Sequence, residues 1–434
     1  MCITQMSGCS FVTRYHGAAM ACLSLALILA VDTVARAQVF IEQKLTSSDA
    51  AAGDLFGYSV AISGNTAIVG AVADNNRWGL GAGSAYLFDA ITGKELFKLT
   101  ADDGAELEQF GHSVAISGRT AIVGALHNNN YGSAYLFDTT SGGQLFKLTP
   151  FNAPGPSRFG HSVAISGNAA IVGALNSGDD DAGSVHLFDV TTGRERFQID
   201  GSGETQFGYS VGLSGNMVIV GAPRDEIGPI SEAKTGAAYL FDATTGNRVS
   251  RLTAHDAASR DSFGVSVAIS DGIAIVGASG NDDSGEESGS AYLFDVNTGV
   301  ELFKLTASDG AAFDWFGRFV GISGNTAIVG APANTACRNL IGCKSGTTYL
   351  FDVTTGEELA KLTASDASDD DFFGLGVAVS GTTFIVGAPG NDDAGGKSGS
   401  AYLIHDIPEP SSFLLAVLAL IGLFGFARRR VAIP

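Results

Sequence analysis

Phe56-Gly-Tyr-Ser-Val-Ala-Ile-Ser-Gly-Asn-Thr-Ala-Ile-Val-Gly-Ala71 decides the fold, because it occurs more than once. It returns with small changes at Phe110, Phe159, Phe207, Phe263, Phe316 and Phe373, at spacings of 54, 49, 48, 56, 53 and 57 residues. A recurring period of about fifty residues marks a repeat architecture. It overrides the two or three domains that a length of 434 residues would otherwise suggest.

Within the first unit the pattern predicts four strands. Phe56–Ser63 is a glycine-bounded strand, and Ser63-Gly64-Asn65 is a tight turn of residues suited to positive φ. Thr66–Ala71 is a second strand, apolar on both faces, and residues 84–88 (Ser-Ala-Tyr-Leu-Phe) are a third. Residues 89–93 form a hairpin turn in which Asp89 bonds turn N–H groups and Gly93 takes the left-handed position. Residues 95–100 are the fourth strand. Four short antiparallel strands per unit, seven units and no helical periodicity predict an all-β fold, a seven-bladed β-propeller of four-stranded antiparallel blades. The last unit stops after Ala401-Tyr402-Leu403 and lacks its fourth strand. Phe40-Ile-Glu-Gln-Lys-Leu-Thr46 matches Leu96-Phe-Lys-Leu-Thr100, so residues 40–46 are predicted to complete the last blade and close the ring. Strand order then places the short, uniform turns on one face and the variable loops on the other. Variable loops on a rigid scaffold are where binding usually resides.

Hydrophobic residues make up 45% of the chain and charged residues only 16%, which predicts a packed core and not disorder. The net charge of −20 argues against nucleic acid, whose phosphates require clustered Lys and Arg, and favours cations or basic partners. Cys2, Cys9 and Cys22 fall in the N-terminal segment, which leaves Cys337 and Cys343 in the body. In an exported chain that nearby pair reads as one disulfide closing a small loop, since no His or second Cys pair stands beside it to complete a metal site.

Both ends depart from the repeat. Arg14 and His16 precede an apolar run, followed by Ala35-Arg36-Ala37. This reads as a secretory signal peptide over residues 1–37, cleaved after Ala37 to expose Gln38, because the run is too short to span a bilayer. The repeat body occupies residues 38–407. Beyond it stand Pro408-Glu409-Pro410, an apolar run at 413–427, and Arg428-Arg429-Arg430. Chemically this is a short membrane-seeking segment with a basic stop.

Phe-Gly followed by Val-Gly-Ala-Pro, as at Phe207-Gly208 and Gly221-Ala222-Pro223, resembles the FG-GAP repeat, and the resemblance spans about residues 40–405. It implies a propeller similar to the N-terminal domain of integrin α subunits, used outside the cell in adhesion or ligand binding. Many members carry an Asp-x-Asp-x-Asp-Gly calcium loop between the first two strands. Here that place holds only short turns such as Ser63-Gly64-Asn65, too few oxygens for calcium, so those calcium sites are not carried over. The C-terminal tail resembles the PEP-CTERM sorting signal. It implies transient membrane insertion of 413–427, cleavage near Pro408-Glu409-Pro410 by an exosortase-type enzyme, and release to the bacterial surface or matrix. A permanent anchor through 413–427 is the alternative.

Candidate chemistry is confined to the variable face. Asp179-Asp180-Asp181, Asp282-Asp283 and Asp392-Asp393 lie between second and third strands. Asp49 with Asp54, Asp256 with Asp261, Asp309 with Asp314 and Asp366 with Asp371 lie in the blade-to-blade loops. Weak calcium sites built of carboxylates and loop carbonyls are one reading. Solvated loops with turn-capping side chains are the other, favoured because the spacing matches no defined ion loop. Asp89, Asp138, Asp189, Asp242, Asp295 and Asp352 end the third strand in six units and read as a turn device. His112 and His161 occupy a position held elsewhere by Tyr58, Tyr209, Val265, Arg318 and Leu375, which suggests packing or channel lining. Trp78 and Tyr131 sit in variable loops, where they either pack their own loop or stack on a sugar or peptide. No Ser/His/Asp set, paired-carboxylate dyad or HExxH motif stands out in the sequence. The expectation is a non-enzymatic surface or matrix module contacting polysaccharide or a surface protein. A polysaccharide-acting enzyme and a purely structural surface protein are the rivals.

Overall fold

The computed structural model describes residues 39–128, 131–151, 157–175, 182–201, 205–225, 234–334 and 345–407. Asp179–Asp181, Cys337 and Cys343, the signal segment with Ala37 and Gln38, and the tail from Pro408 through Arg428, Arg429 and Arg430 lie outside them. The chain divides into a body, 42–405, and a second unit of whose residues only 39–41 and 406–407 are described.

The described strands, β1 to β28 in chain order, form seven four-stranded sheets. Blade one is β2 (Phe56–Ser63), β3 (Thr66–Ala71), β4 (Ser84–Asp89) and β5 (Glu95–Leu99), each antiparallel to its neighbour. The expected strand bounds agree to within a residue. Blades two to six repeat this plan. Blade seven has the order β1 (Val39–Leu45), β28 (Ser400–Ile407), β27 (Thr383–Ala388), β26 (Gly376–Ser380). The N-terminal strand therefore closes the ring, as the displaced repeat predicts.

The sequence signature is explained by how blades touch. Phe56 is fully buried, with its ring edge-on to Tyr86 and Phe88 of its own blade at 5.5 and 5.8 Å. Burying such a ring contributes roughly 1.5–3 kcal/mol. Gly57 has φ +93°, and a Cβ there would lie 2.2 Å from Ser400 O of blade seven. A Cβ on Gly70, in the Val-Gly-Ala segment, would lie 2.1 Å from Gly111 O of blade two, where Ser59 Oγ–H also donates at 2.8 Å. Both glycines are thus required by backbone-to-backbone approach between blades. Side chains fill the same seams: Ile68 and Leu87 of blade one share a buried cluster with Phe110, Val123 and Tyr135 of blade two. One difference from the expected plan is that the innermost strand runs eight residues in blades one to three but five in blades four to seven. The Phe-Gly step is already an irregularity in the ladder of blade one, and in the later blades it falls outside the strand.

Candidate functional site

The two faces are built as the strand arithmetic requires. Loops between second and third strands meet the blade-to-blade loops on one face: Leu107 N–H donates to Leu80 O at 2.9 Å. On the other face turns meet turns, with Gly118 N–H donating to Ser63 Oγ of the preceding blade at 3.1 Å.

On the variable face six of the seven blades carry a phenol, a carboxylate and a cation, blade three being the exception with His186 in the tyrosine position. In blade one Tyr86 O–H donates to Asp49 at 2.8 Å, and Lys98 Nζ lies 2.6 Å from Asp49 and 2.8 Å from Asp74. The ammonium also sits 5.2 Å from the Tyr86 ring centroid, close enough for a cation–π contribution. The same trio recurs as Tyr135–Asp103–Lys147, Tyr292–Asp256–Lys304, Tyr349–Asp309–Lys361 and Tyr402–Asp366–Lys44. Lys44 comes from β1, so the closing strand completes the last cluster. Blade four substitutes Asp225 and Arg251 around Tyr239. Burial raises the carboxyl pKa of Asp49, Asp256, Asp309 and Asp366, but the neighbouring ammonium and phenol more than offset it and hold each below its ordinary value.

The second aspartate of each loop pair does something else. Asp54, Asp261, Asp314 and Asp371 are buried and accept the N–H of the residue three places earlier, Ala51, Ala258, Ala311 and Ser368, at 2.7, 2.8, 2.9 and 2.7 Å. Burial pushes their pKa values up. Of the other acidic candidates, Asp283 and Asp393 pair with Lys304 and Lys44. Asp282 and Asp392 accept the backbone N–H groups of Glu287 and Lys397 at 2.8 and 2.6 Å. Among the described residues no three His, Cys, Asp or Glu side chains are grouped to hold a metal ion. Trp78 packs its own surroundings, donating Nε1–H to Ala101 O at 2.8 Å with Arg77 stacked at 4.9 Å. Tyr131 stays exposed.

Blade three contains a chain of contacts that reading the sequence missed. Ser184 Oγ is 3.0 Å from His186 Nε2, and His186 Nδ1 is 2.8 Å from Glu195 Oε1. The order matches a nucleophile–base–acid relay. Ser184 and His186 are only 6% and 2% exposed, however, which leaves a substrate no approach. Serine also recurs at the same strand position as Ser84, Ser133, Ser290 and Ser400, so His186 in place of tyrosine is the departure and the serine is scaffold.

The repeat changes most where the blades converge. The residues after the seven Phe-Gly steps, Tyr58, His112, His161, Tyr209, Val265, Arg318 and Leu375, line one cavity of about 290 Å³ at the variable-face end of the central channel. Four consecutive blades supply a continuous aromatic arc, with ring centroids 5.3 Å apart from Tyr58 to His112, 5.2 Å to His161 and 4.9 Å to Tyr209. His161 Nδ1 lies 3.1 Å from Tyr209 O and so carries the proton it donates. Arg318 reaches past Val265 to donate to Tyr209 Oη at 3.3 Å. Burial first, then the neighbouring His161, His127 and Arg158, hold His112 down at about 3. Burial holds His161 at about 4, with Arg158 and Arg318 adding to the effect against the Tyr209 hydrogen bond. Both imidazoles are neutral at neutral pH. The expected role of His112 and His161, channel lining, is therefore what the structure shows. The only sequence signal for the site was the failure of one position to repeat.

The fold is that of a seven-bladed β-propeller whose blade junctions are set by the Phe-Gly and Val-Gly-Ala steps. The chain belongs to the FG-GAP repeat family: the repeat matches residues 40–88, 94–137, 143–188, 198–241, 247–294, 300–351 and 357–404. Each matched segment begins on the outer strand of one blade and ends on the third strand of the next. That one-strand offset is why closure needs β1 in blade seven. The PEP-CTERM protein-sorting motif matches residues 406–430. It is a signal for exosortase-type processing and directs export to the surface or extracellular space. Among the described residues no helix is long and apolar enough to cross a membrane. No curated protein matches the chain.

Proposed function

We propose that this protein is a surface or matrix binding module that takes its ligand on the variable face, centred on the channel mouth, and that it acts there in adhesion to polysaccharide or to another surface protein. One observation carries the reading. A scaffold that repeats its contacts blade after blade places seven residues of five different types, Tyr58 to Leu375, around a single cavity. A position under packing constraint alone would converge on one residue type, as Phe56 and its counterparts do. Among the described residues that line the cavity there is no carboxylate, so the paired-carboxylate chemistry of most glycoside hydrolases has no counterpart there, which favours binding over turnover. We further propose that residues 1–37 are a signal peptide, that 38–407 form the mature body, that Cys337 and Cys343 form a disulfide, and that 408–434 are processed at Pro408-Glu409-Pro410. Retention by 413–427 is the competing fate, and an intact C-terminus in the exported protein would establish it.

A glycan array, run beside a polysaccharide-hydrolase screen, tests the function. The expected result is retention of a subset of glycans without turnover. Turnover abolished by substituting one variable-face carboxylate would replace this reading with an enzymatic one.

A further inference from the structure

Among the described residues the lining of the channel mouth contains no aspartate and no glutamate, and Arg318 is its only charged side chain. In a chain of net charge −20 that composition is an exception. Elsewhere on the same face six cations are already paired: Lys44, Lys98, Lys147, Arg251, Lys304 and Lys361 each hold a carboxylate. Arg318 has no carboxylate partner among the described residues, and its contact is the Tyr209 hydroxyl. Because Tyr209 Oη accepts from Arg318, its own O–H is left to donate. Tyr58 lines the same cavity as Tyr209 and Arg318. The site thus gathers two phenol donors and a guanidinium with no acidic acceptor between them. That arrangement suits an oxyanion, for which charge-assisted hydrogen bonds are the strongest available. His161 Nδ1–H is committed to Tyr209 O, so Nε2 is an acceptor for a hydroxyl. Val265 and Leu375 supply apolar wall. A cavity of about 290 Å³ stands at the lower end of the roughly 300–1,000 Å³ of small-ligand pockets, and so admits one ring and not a polymer chain.

We propose that the channel mouth binds a single acidic sugar ring, the end of an acidic saccharide, with its carboxylate or sulfate ester held by Arg318, Tyr58 and Tyr209 and a hydroxyl accepted by His161. The inference rests on the binding reading of this face and adds its ligand class.

Titration calorimetry of the full chain as exported, with glucuronate, glucose and inorganic sulfate as separate probes, tests it. Glucuronate is expected to bind, with glucose about tenfold weaker or more. Arg318→Met should weaken glucuronate by about tenfold, and Tyr58→Phe or Tyr209→Phe by about threefold. The two Phe variants keep the ring packing, so unchanged melting curves separate lost binding from lost folding. No heat with millimolar glucuronate on a cooperatively melting protein overturns the proposal, as does glucuronate binding that survives Arg318→Met. Sulfate binding as tightly as glucuronate overturns the saccharide part. If glucuronate fails while the glycan array still shows retention, the binding face stands and this pocket assignment falls. If both are blank, both fall.

Discussion

On the face that carries the short turns, six aspartates perform one task six times. Asp89 Oδ1 accepts the N–H groups of Ile91 and Thr92 at 3.1 and 2.8 Å, and Asp138, Asp189, Asp242, Asp295 and Asp352 do the same for their own turns. On the opposite face aspartates of the same kind are divided between two tasks. Among the described residues some pair with lysine and tyrosine, some cap buried turns, and none lines the channel mouth. The constant face is saturated by local bonds that depend only on a turn sequence. The variable face is assembled from loops about fifty residues apart in the chain, so each blade can be changed without its neighbours. What distinguishes the candidate site from the scaffold is therefore the range over which its contacts are made, more than its residue types.

The comparison can be broken in order of severity. Deleting residues 38–46 removes β1, Leu45 and the Lys44 pairs, and should lower the melting temperature by more than about 10 °C. An unchanged melt would mean the ring does not depend on that strand. Gly57→Ala should cost about 3 kcal/mol in denaturant unfolding, since the new Cβ meets both a positive φ and the Ser400 carbonyl. A neutral outcome would show that the blade seam yields. The channel histidines give a pH signature. Their folded pKa values, about 3 and about 4, lie below the ordinary 6.5, so on acidification the unfolded chain takes up protons that the folded one refuses. Their neutral-state packing is fully favourable above pH 6.5, and stability is lost as the pH falls from there toward about 3. Replacing both with phenylalanine should flatten that limb of the unfolding curve relative to the parent. An unaltered slope would mean the pair is solvated. Lys304→Met, which strands Asp256 and Asp283 at a partly exposed site, should cost about 1 kcal/mol. Asp89→Ala should move the melt least of all, because the turn keeps its other bonds and its carboxylate is exposed. A loss larger than that of Lys304→Met would reverse the ranking of the two faces.

Much of the fold was legible beforehand for a physical reason. Strand periodicity, turn chemistry and the Phe-Gly spacing are local, and the displaced copy at residues 40–46 needed only to be matched with Leu96–Leu99. The acid pairs were legible as pairs but not as roles. Nothing in the spacing of Asp49 and Asp54 says that Lys98 and Tyr86, some forty residues later, hold the first while the backbone of Ala51 holds the second. The Ser184–His186–Glu195 chain escaped notice because a common strand serine and a turn-flanking glutamate met at one substituted tyrosine position.

The amino-acid sequence by itself determined the number of blades, the closing strand and the sorting tail, because each is written in residues adjacent in the chain or repeated along it. Only the tertiary structure decided what the residues after Phe-Gly amount to. Tyr58, His112, His161, Tyr209 and Arg318 lie up to 260 positions apart, and taken singly each is an unremarkable substitution in a repeat. Closing the ring brings them to one level around a cavity whose described lining holds no carboxylate. That convergence turns a position that fails to repeat into a candidate site.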